Sequence, residues 1–434
     1  MSESAYDLAI IGSGPAASLA ALRAVSQGFR TLMLERAQPA LERPRFDFDR
    51  TSRALDHAGV FAPTPPSRTA LALPAVLGGG FAVNSGFYRW PSPEQISALE
   101  PHVSATELNS ARLWVESHLP LQCDPPTPSA AHLARTAAHL ALNSTSVPTW
   151  LHPQFAPTGP FLPLALAAGL VLRTSAEVKR ISRSGALRQL HLLDGSTVSA
   201  RAVLLAAGPF GSFALAASSG LVPTSTTLAA HPMFRSMLLP TLLDSTPQAI
   251  GNIQVSHGSE LVSGCGLAEP WSLAAAHPEV IDRIERSFSQ GIRPYGWYTQ
   301  ATHPKAFKLQ VSRRGLSVRQ IYSLQEQVFL RAARAHLNLL EAADLPWFFA
   351  GSRHVPKSYL EVLKNPRVSV VHFTSSLPLG DVLGPDGSFR TDPMVGCCDS
   401  STLPTAPGVN PQALTMSLSS TLVDRFLSSR SGGL

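Results

Sequence analysis

The segment Tyr6-Asp7-Leu8-Ala9-Ile10-Ile11 runs directly into Gly12-Ser13-Gly14-Pro15-Ala16-Ala17. Such an apolar run suits a buried parallel strand, and the G-x-G-x-x-A after it constrains the fold more than any other feature. Gly12 permits a tight strand-to-helix turn, Gly14 lets a pyrophosphate approach the backbone, and small Ala17 lets the next helix close on the sheet. The helix start, Pro15 and Ala16 included, then offers free N–H groups to phosphate oxygens. A second strand, Thr31–Leu34, ends at Glu35, roughly 20 residues past Gly12, where a carboxylate accepts from ribose hydroxyls. Arg36 follows and is assigned to the same nucleotide site. The class predicted is α/β, a Rossmann-like domain of parallel strands flanked by helices.

At 434 residues the chain exceeds a usual single domain, so two joined domains are expected. An apolar fraction of 44% supports a packed core, and 15% charged residues argue against disorder. Proline clusters at 62–66 and 125–128 read as surface loops or strand ends. The net charge of +6 is thinly spread, with Arg313-Arg314 the densest basic pair, which excludes a nucleic-acid surface. Cys123, Cys265, Cys397 and Cys398 show neither metal spacing nor a disulfide framework; no metal is assigned and a reducing compartment is expected. The first strand begins close to Met1, leaving no room for a cleavable leader, and apolar stretches such as 161–169 are too short to span a bilayer. The expectation is a cytoplasmic protein without a membrane span.

The fingerprint alone does not separate FAD from NAD; two further segments do. Segment 77–86 offers bare backbone at Gly79 and Gly80, then an amide, Asn84, able to bond a cofactor. Ala202-Val203-Leu204-Leu205-Ala206-Ala207-Gly208 is an apolar strand ending in small residues. It is similar to the strand-and-glycine element that returns to the adenine-binding domain in two-domain flavoproteins. Ala207, Gly208 and the preceding hairpin residue Val178 are assigned to FAD. No second G-x-G-x-x-G follows a strand, which argues against a built-in NAD(P)H site.

Near the C-terminus stand His372-Phe373-Thr374-Ser375-Ser376-Leu377-Pro378-Leu379-Gly380 and Pro407-Gly408-Val409-Asn410-Pro411-Gln412. With them the chain resembles the glucose–methanol–choline (GMC) family of FAD-dependent oxidoreductases, as an unusually short member. The resemblance is strongest over 6–36, 77–90, 198–220 and 368–427. Segment 207–220 is similar to the family's A-G-x-x-x-S-P-x-L-L-x-x-S-G, with Phe213 in place of proline. Segment 397–404 looks like its V-D-A-S-x-x-P, which implies Asp399 and Ser400 beside the ribityl chain of FAD. Segment 372–380 aligns without gaps on H-P-x-G-x-x-x-x-G. Phe373 and Ser375 replace its proline and glycine, which implies a loop of different shape. Asn410-Pro411 matches the family's N-P, implying that Asn410, Pro411 and Gln412 lie at the flavin and open the final helix.

Oxidation of an alcohol by a flavin removes a hydroxyl proton and a hydride from one carbon. Neutral His372 suits the base, and Asn410 can donate an N–H to the substrate oxygen but cannot take the proton. Asn410 also suits a helix N-cap. His231 and His354 read as loop or core histidines; the aromatic sets Phe87, Tyr88, Trp90 and Tyr295, Trp297, Tyr298 suit either a substrate-pocket wall or the core, and read first as core. The discontinuous FAD domain is expected from 1–95, 160–225 and 365–434, with strands at 174–181, 187–193 and 202–207. Residues 96–159 and 226–364 would form a smaller α+β substrate-binding cap domain, with a helix across 328–340. The function implied is oxidation of a small alcohol or sugar-type substrate to an aldehyde or ketone, with oxygen or a quinone-like acceptor. Two other readings keep the fold: lyase or photodecarboxylase chemistry, and a catalytically inactive FAD-binding partner.

Overall fold

The structure, a computed structural model, describes residues 5–37, 61–63, 70–72, 76–83, 86–123, 125–150, 158–238, 252–265, 295–345, 347–349 and 368–430. Asn84 and His354 lie outside these. Two sheets organise the described chain. In the first, Asp392–Cys397, Thr197–Leu205, β1 (Tyr6–Ile11), β2 (Thr31–Leu34) and Val171–Arg173 lie side by side, all parallel. Leu8, Ala9 and Ile10 are wholly buried, as a strand covered on both faces requires. The helix Pro15–Ser26 packs with Phe161–Ala167 and with the final helix, Gln412–Ser428. Arg23 on the first helix donates to Ser420 on the last at 2.7 Å.

An antiparallel hairpin, Val178–Ser184 and Leu187–Leu192, leads into Thr197–Leu205. It starts later than the sequence suggests. Ser175 is left-handed (φ 52°), and the N–H of Ala176 donates to the Glu35 carbonyl, so 174–177 form a connection and not a strand. Ala206 and Ala207 likewise leave the strand to turn into the helix Gly208–Ser218.

The second sheet is built on the long strand Ser225–Leu238. It pairs antiparallel with Tyr295–Ala301, His303–Ser312, Trp347–Phe349 and Ser369–Thr374. Beyond Tyr295–Ala301 follow Leu261–Cys265, Ile253–Ser256 and Ser144–Ser146. The helix Gln327–Ala342 covers this sheet, where its His336 bonds Ser236 and Thr299, each at 2.9 Å. Strand Ser369–Thr374, expected in the nucleotide unit, is hydrogen-bonded into this second sheet, so the His372 segment bridges the two parts.

One irregularity matters for the site. The register runs Ala230 opposite Phe373, then Pro232 opposite Val370. His231 therefore faces both Val371 and His372, a β-bulge. Pro232 has no N–H to continue the ladder, and a bulge re-aims the side chains it carries.

Candidate active site

The first part of the site is the turn after β1. Gly12 has φ 108°, and a Cβ there would stand 2.4 Å from the Ala206 carbonyl oxygen, so no other residue fits. Gly14 caps the helix Pro15–Ser26 without any side-chain hydrogen bond, and Ala16 and Ala17 are buried behind Pro15. Gly79 (φ 48°) lies on Gly14, where a Cβ would sit 3.1 Å from the Gly14 Cα, and Gly80 lies against Pro15. The predicted nucleotide turn and covering loop thus meet backbone to backbone.

Ser13, a residue the sequence reading passed over, fastens them. Its Oγ donates to Glu35 at 2.6 Å and accepts from the Gly78 N–H at 3.0 Å. Glu35 is buried at the end of β2 and its other oxygen accepts from the Ala37 N–H at 2.8 Å. Arg36 beside it is exposed, and Val178 opens the hairpin strand nearby.

Asp399 serves the protein. Its carboxylate accepts from Gly208 N (2.8 Å), Ser212 Oγ (2.5 Å), Ser401 N (2.9 Å) and Ser401 Oγ. Burial pushes its pKa above the ordinary aspartate value, with these donors opposing the rise. The side chain so ties Ala207-Gly208 to the turn at Ser400, whose carbonyl accepts from the Ser375 N–H at 3.2 Å.

The second part holds His372 and Asn410. His372 Nδ1 lies 3.3 Å from His231 Nδ1, with the rings edge to face at 87°. His231 is fully buried, so the sequence reading of a core histidine is right about burial, yet the bulge sets it against His372. Burial lowers the His231 pKa to about 4, with the Pro407 backbone opposing. Burial first, then the proximity of His231 and of the Arg235 guanidinium, holds His372 well below the ordinary histidine value. His372 is therefore neutral at physiological pH while keeping a partly accessible side.

Asn410 does not cap the final helix: Pro411 occupies that place, without a side-chain bond. The Asn410 Oδ1 accepts instead from Gln254 Nε2 at 2.6 Å. Gln254 is itself oriented, because Arg89 Nη1 donates to its Oε1 at 2.7 Å. A guanidinium only donates, so it fixes which end of the Gln254 amide is oxygen. That leaves the Asn410 Nδ2 free to donate elsewhere. Gln254 Nε2 also reaches Tyr298 Oη at 3.0 Å. The Tyr298 ring crosses Gly264 to get there; a Cβ on Gly264 would lie 2.6 Å from its hydroxyl. Next along, Gln412 accepts from Trp150 Nε1 at 3.2 Å. Trp150 packs edge to face on Phe81, centroids 4.8 Å apart, and Phe81 follows Gly80. A continuous line of contacts therefore joins the nucleotide turn to the Asn410 segment.

Arg89, Gln254 and Arg235 are not among the residues expected from sequence, and Tyr298 and His231, expected first as core or loop residues, join the site. The signal was present in Ala229-Ala230-His231-Pro232-Met233-Phe234-Arg235, where a histidine and an arginine alternate onto one face of an otherwise apolar strand.

No family model and no curated protein matches the chain. Solved structures do. A pyridoxine 4-oxidase from Mesorbium loti superposes with a TM-score of 0.74 at 16% identity, over 96% of this chain and 98% of that one. A formate oxidase from Aspergillus oryzae RIB40, from a study of FAD modification, gives a TM-score of 0.73 at 10% identity over 100% of both chains. The chain has the fold of these oxidases along its whole length.

Proposed function

We propose that the chain is an FAD-dependent oxidoreductase of the GMC type that oxidises an alcohol to an aldehyde or ketone. The cradle fits the cofactor: Gly12 and Gly79 leave no room for a side chain, Gly14 and Gly80 keep the backbone beside them bare, and the helix behind them begins without a side-chain cap. Gly14, Pro15, Ala16 and Ala17 would face the pyrophosphate, with Glu35, Arg36 and Val178 toward the adenosine. Ala207, Gly208, Asp399 and Ser400 would lie along the chain between, and Asn410, Pro411 and Gln412 at the ring. When bound, FAD supplies the acceptor for the hydride that leaves the carbinol carbon.

The protein does the rest. His372, neutral because imidazolium is disfavoured there, takes the hydroxyl proton. Asn410 Nδ2, freed by the bond from Gln254 to Oδ1, donates to the substrate oxygen and stabilises its developing charge. The Arg89–Gln254–Asn410 relay is the observation that carries this reading, because it orients an otherwise ambiguous amide.

The test is to purify the full-length protein, measure its flavin spectrum, and mix it anaerobically with candidate alcohols. Retained FAD that bleaches on mixing is the expected result. A protein that binds no flavin on reconstitution contradicts the proposal, and turnover without net flavin reduction would point to lyase chemistry.

A further inference from the structure

Arg235 stands directly opposite Tyr298 in the register of the second sheet, on the face that also carries His231 and Met233. Its Nε is sealed from solvent and meets no partner, and its Nη2 reaches only the Met233 sulfur, at 3.5 Å. The residue as a whole is half-buried and not sealed off from solvent. Arg89, the other cation near Tyr298, donates to neutral groups alone, Gln254 and Ser256. Among the described residues no carboxylate pairs with either arginine. A guanidinium set into a protein interior without a counter-ion is unfavourable unless something else brings the negative charge. The phosphates of a bound dinucleotide belong at the Gly14 turn on the other sheet. Arg235 instead lies close enough to His372 to disfavour its protonation.

We propose that the substrate carries a carboxylate, held by Arg235 and the Tyr298 hydroxyl, so that the site takes a hydroxy acid. This rests on reading His372 and Asn410 as the reacting pair. Tyr298 Oη already accepts from Gln254, which leaves its O–H to donate. A planar guanidinium fork plus one phenol meets the two oxygens of a carboxylate. Phe87, Val147 and Met233, which cluster with Tyr298, add no polar donor for the further oxygens of a phosphate. In the reaction the carbinol C–H pair leaves as hydride to FAD and the O–H proton goes to His372. The hydroxy acid becomes an oxo acid, its carboxylate unchanged.

The probes are propionate, propionamide and inorganic phosphate, titrated calorimetrically into the full-length holoprotein. Propionate is expected to bind and propionamide not. Arg235→Met should weaken propionate about 100-fold and, by removing an uncompensated charge, raise the unliganded melting temperature. Arg235→Lys, which keeps the charge but loses the fork, should weaken it about 10-fold and is decisive should the first variant not fold. Equal binding of acid and amide, unaltered propionate affinity in these variants, or a lower melting temperature for a folded Arg235→Met overturns the proposal. Tighter phosphate than propionate overturns the carboxylate. His372→Asn should bind propionate like wild type, so failure of the reacting pair shows separately, in flavin reduction.

Discussion

His231 and His372 meet Nδ1 to Nδ1 across 3.3 Å, although 141 residues separate them. Both are neutral, so one ring must donate and the other accept. The proposed proton transfer needs the Nε2 lone pair of His372 for the substrate, which requires His372 to donate through Nδ1 and His231 Nδ1 to accept. His231 is a positioning residue in this arrangement.

Replacing His231 by phenylalanine keeps the bulk and removes the acceptor. It is expected to lower kcat about 10-fold or more with little change in KM and no loss of bound flavin. Steady-state kinetics beside the flavin absorbance checks this; a change confined to KM contradicts the tautomer argument.

Gln254→Glu replaces the donor to Asn410 with an acceptor while leaving Arg89 a partner. The Asn410 amide should turn over and present its oxygen to the substrate oxygen. A fall in kcat of about 100-fold in a folded, flavin-loaded variant is expected. Wild-type kcat would show that the relay does not set the amide.

Gly264→Ala should destabilise the fold by about 2 kcal/mol, since its Cβ would overlap the Tyr298 ring. Urea denaturation measures this. Gly264→Ala/Tyr298→Ala should show less than additive loss, because the clash disappears with the ring.

Burial holds His231 at about 4 and His336 at about 3 in the folded protein. Unfolded histidines titrate near 6.5, so the unfolded chain binds more protons as pH falls below that value. Stability should be full above pH ~6.5 and decline by up to about 1.4 kcal/mol per pH unit per histidine on acidification. Melting temperature against pH checks the sign. His336→Gln should soften the decline.

The glycine-turn half of the candidate site was legible because its residues follow a local rule: strand, glycine turn, helix and terminal acid are consecutive in the chain. The His372–Asn410 half of the candidate site was legible only in part. His372 and Asn410 stood out through the segments around them, but their partners come from strands whose pairing no local pattern announces. The loop after His372 shows the limit. Ser375 takes the left-handed conformation (φ 69°) that glycine adopts readily, so the backbone turns there despite the substitution. Phe373, in place of proline, packs edge to face on Phe210 with centroids 4.8 Å apart. Sequence suggested an altered loop, and the contacts that hold it became visible only in three dimensions.

Rapid anaerobic mixing of flavin-loaded wild type and His372→Asn with the same alcohol tests most directly whether His372 takes the substrate proton beside bound FAD. Flavin bleaching in the variant is expected to slow by about 1,000-fold with flavin binding intact; bleaching at the wild-type rate would contradict the role of His372 as base.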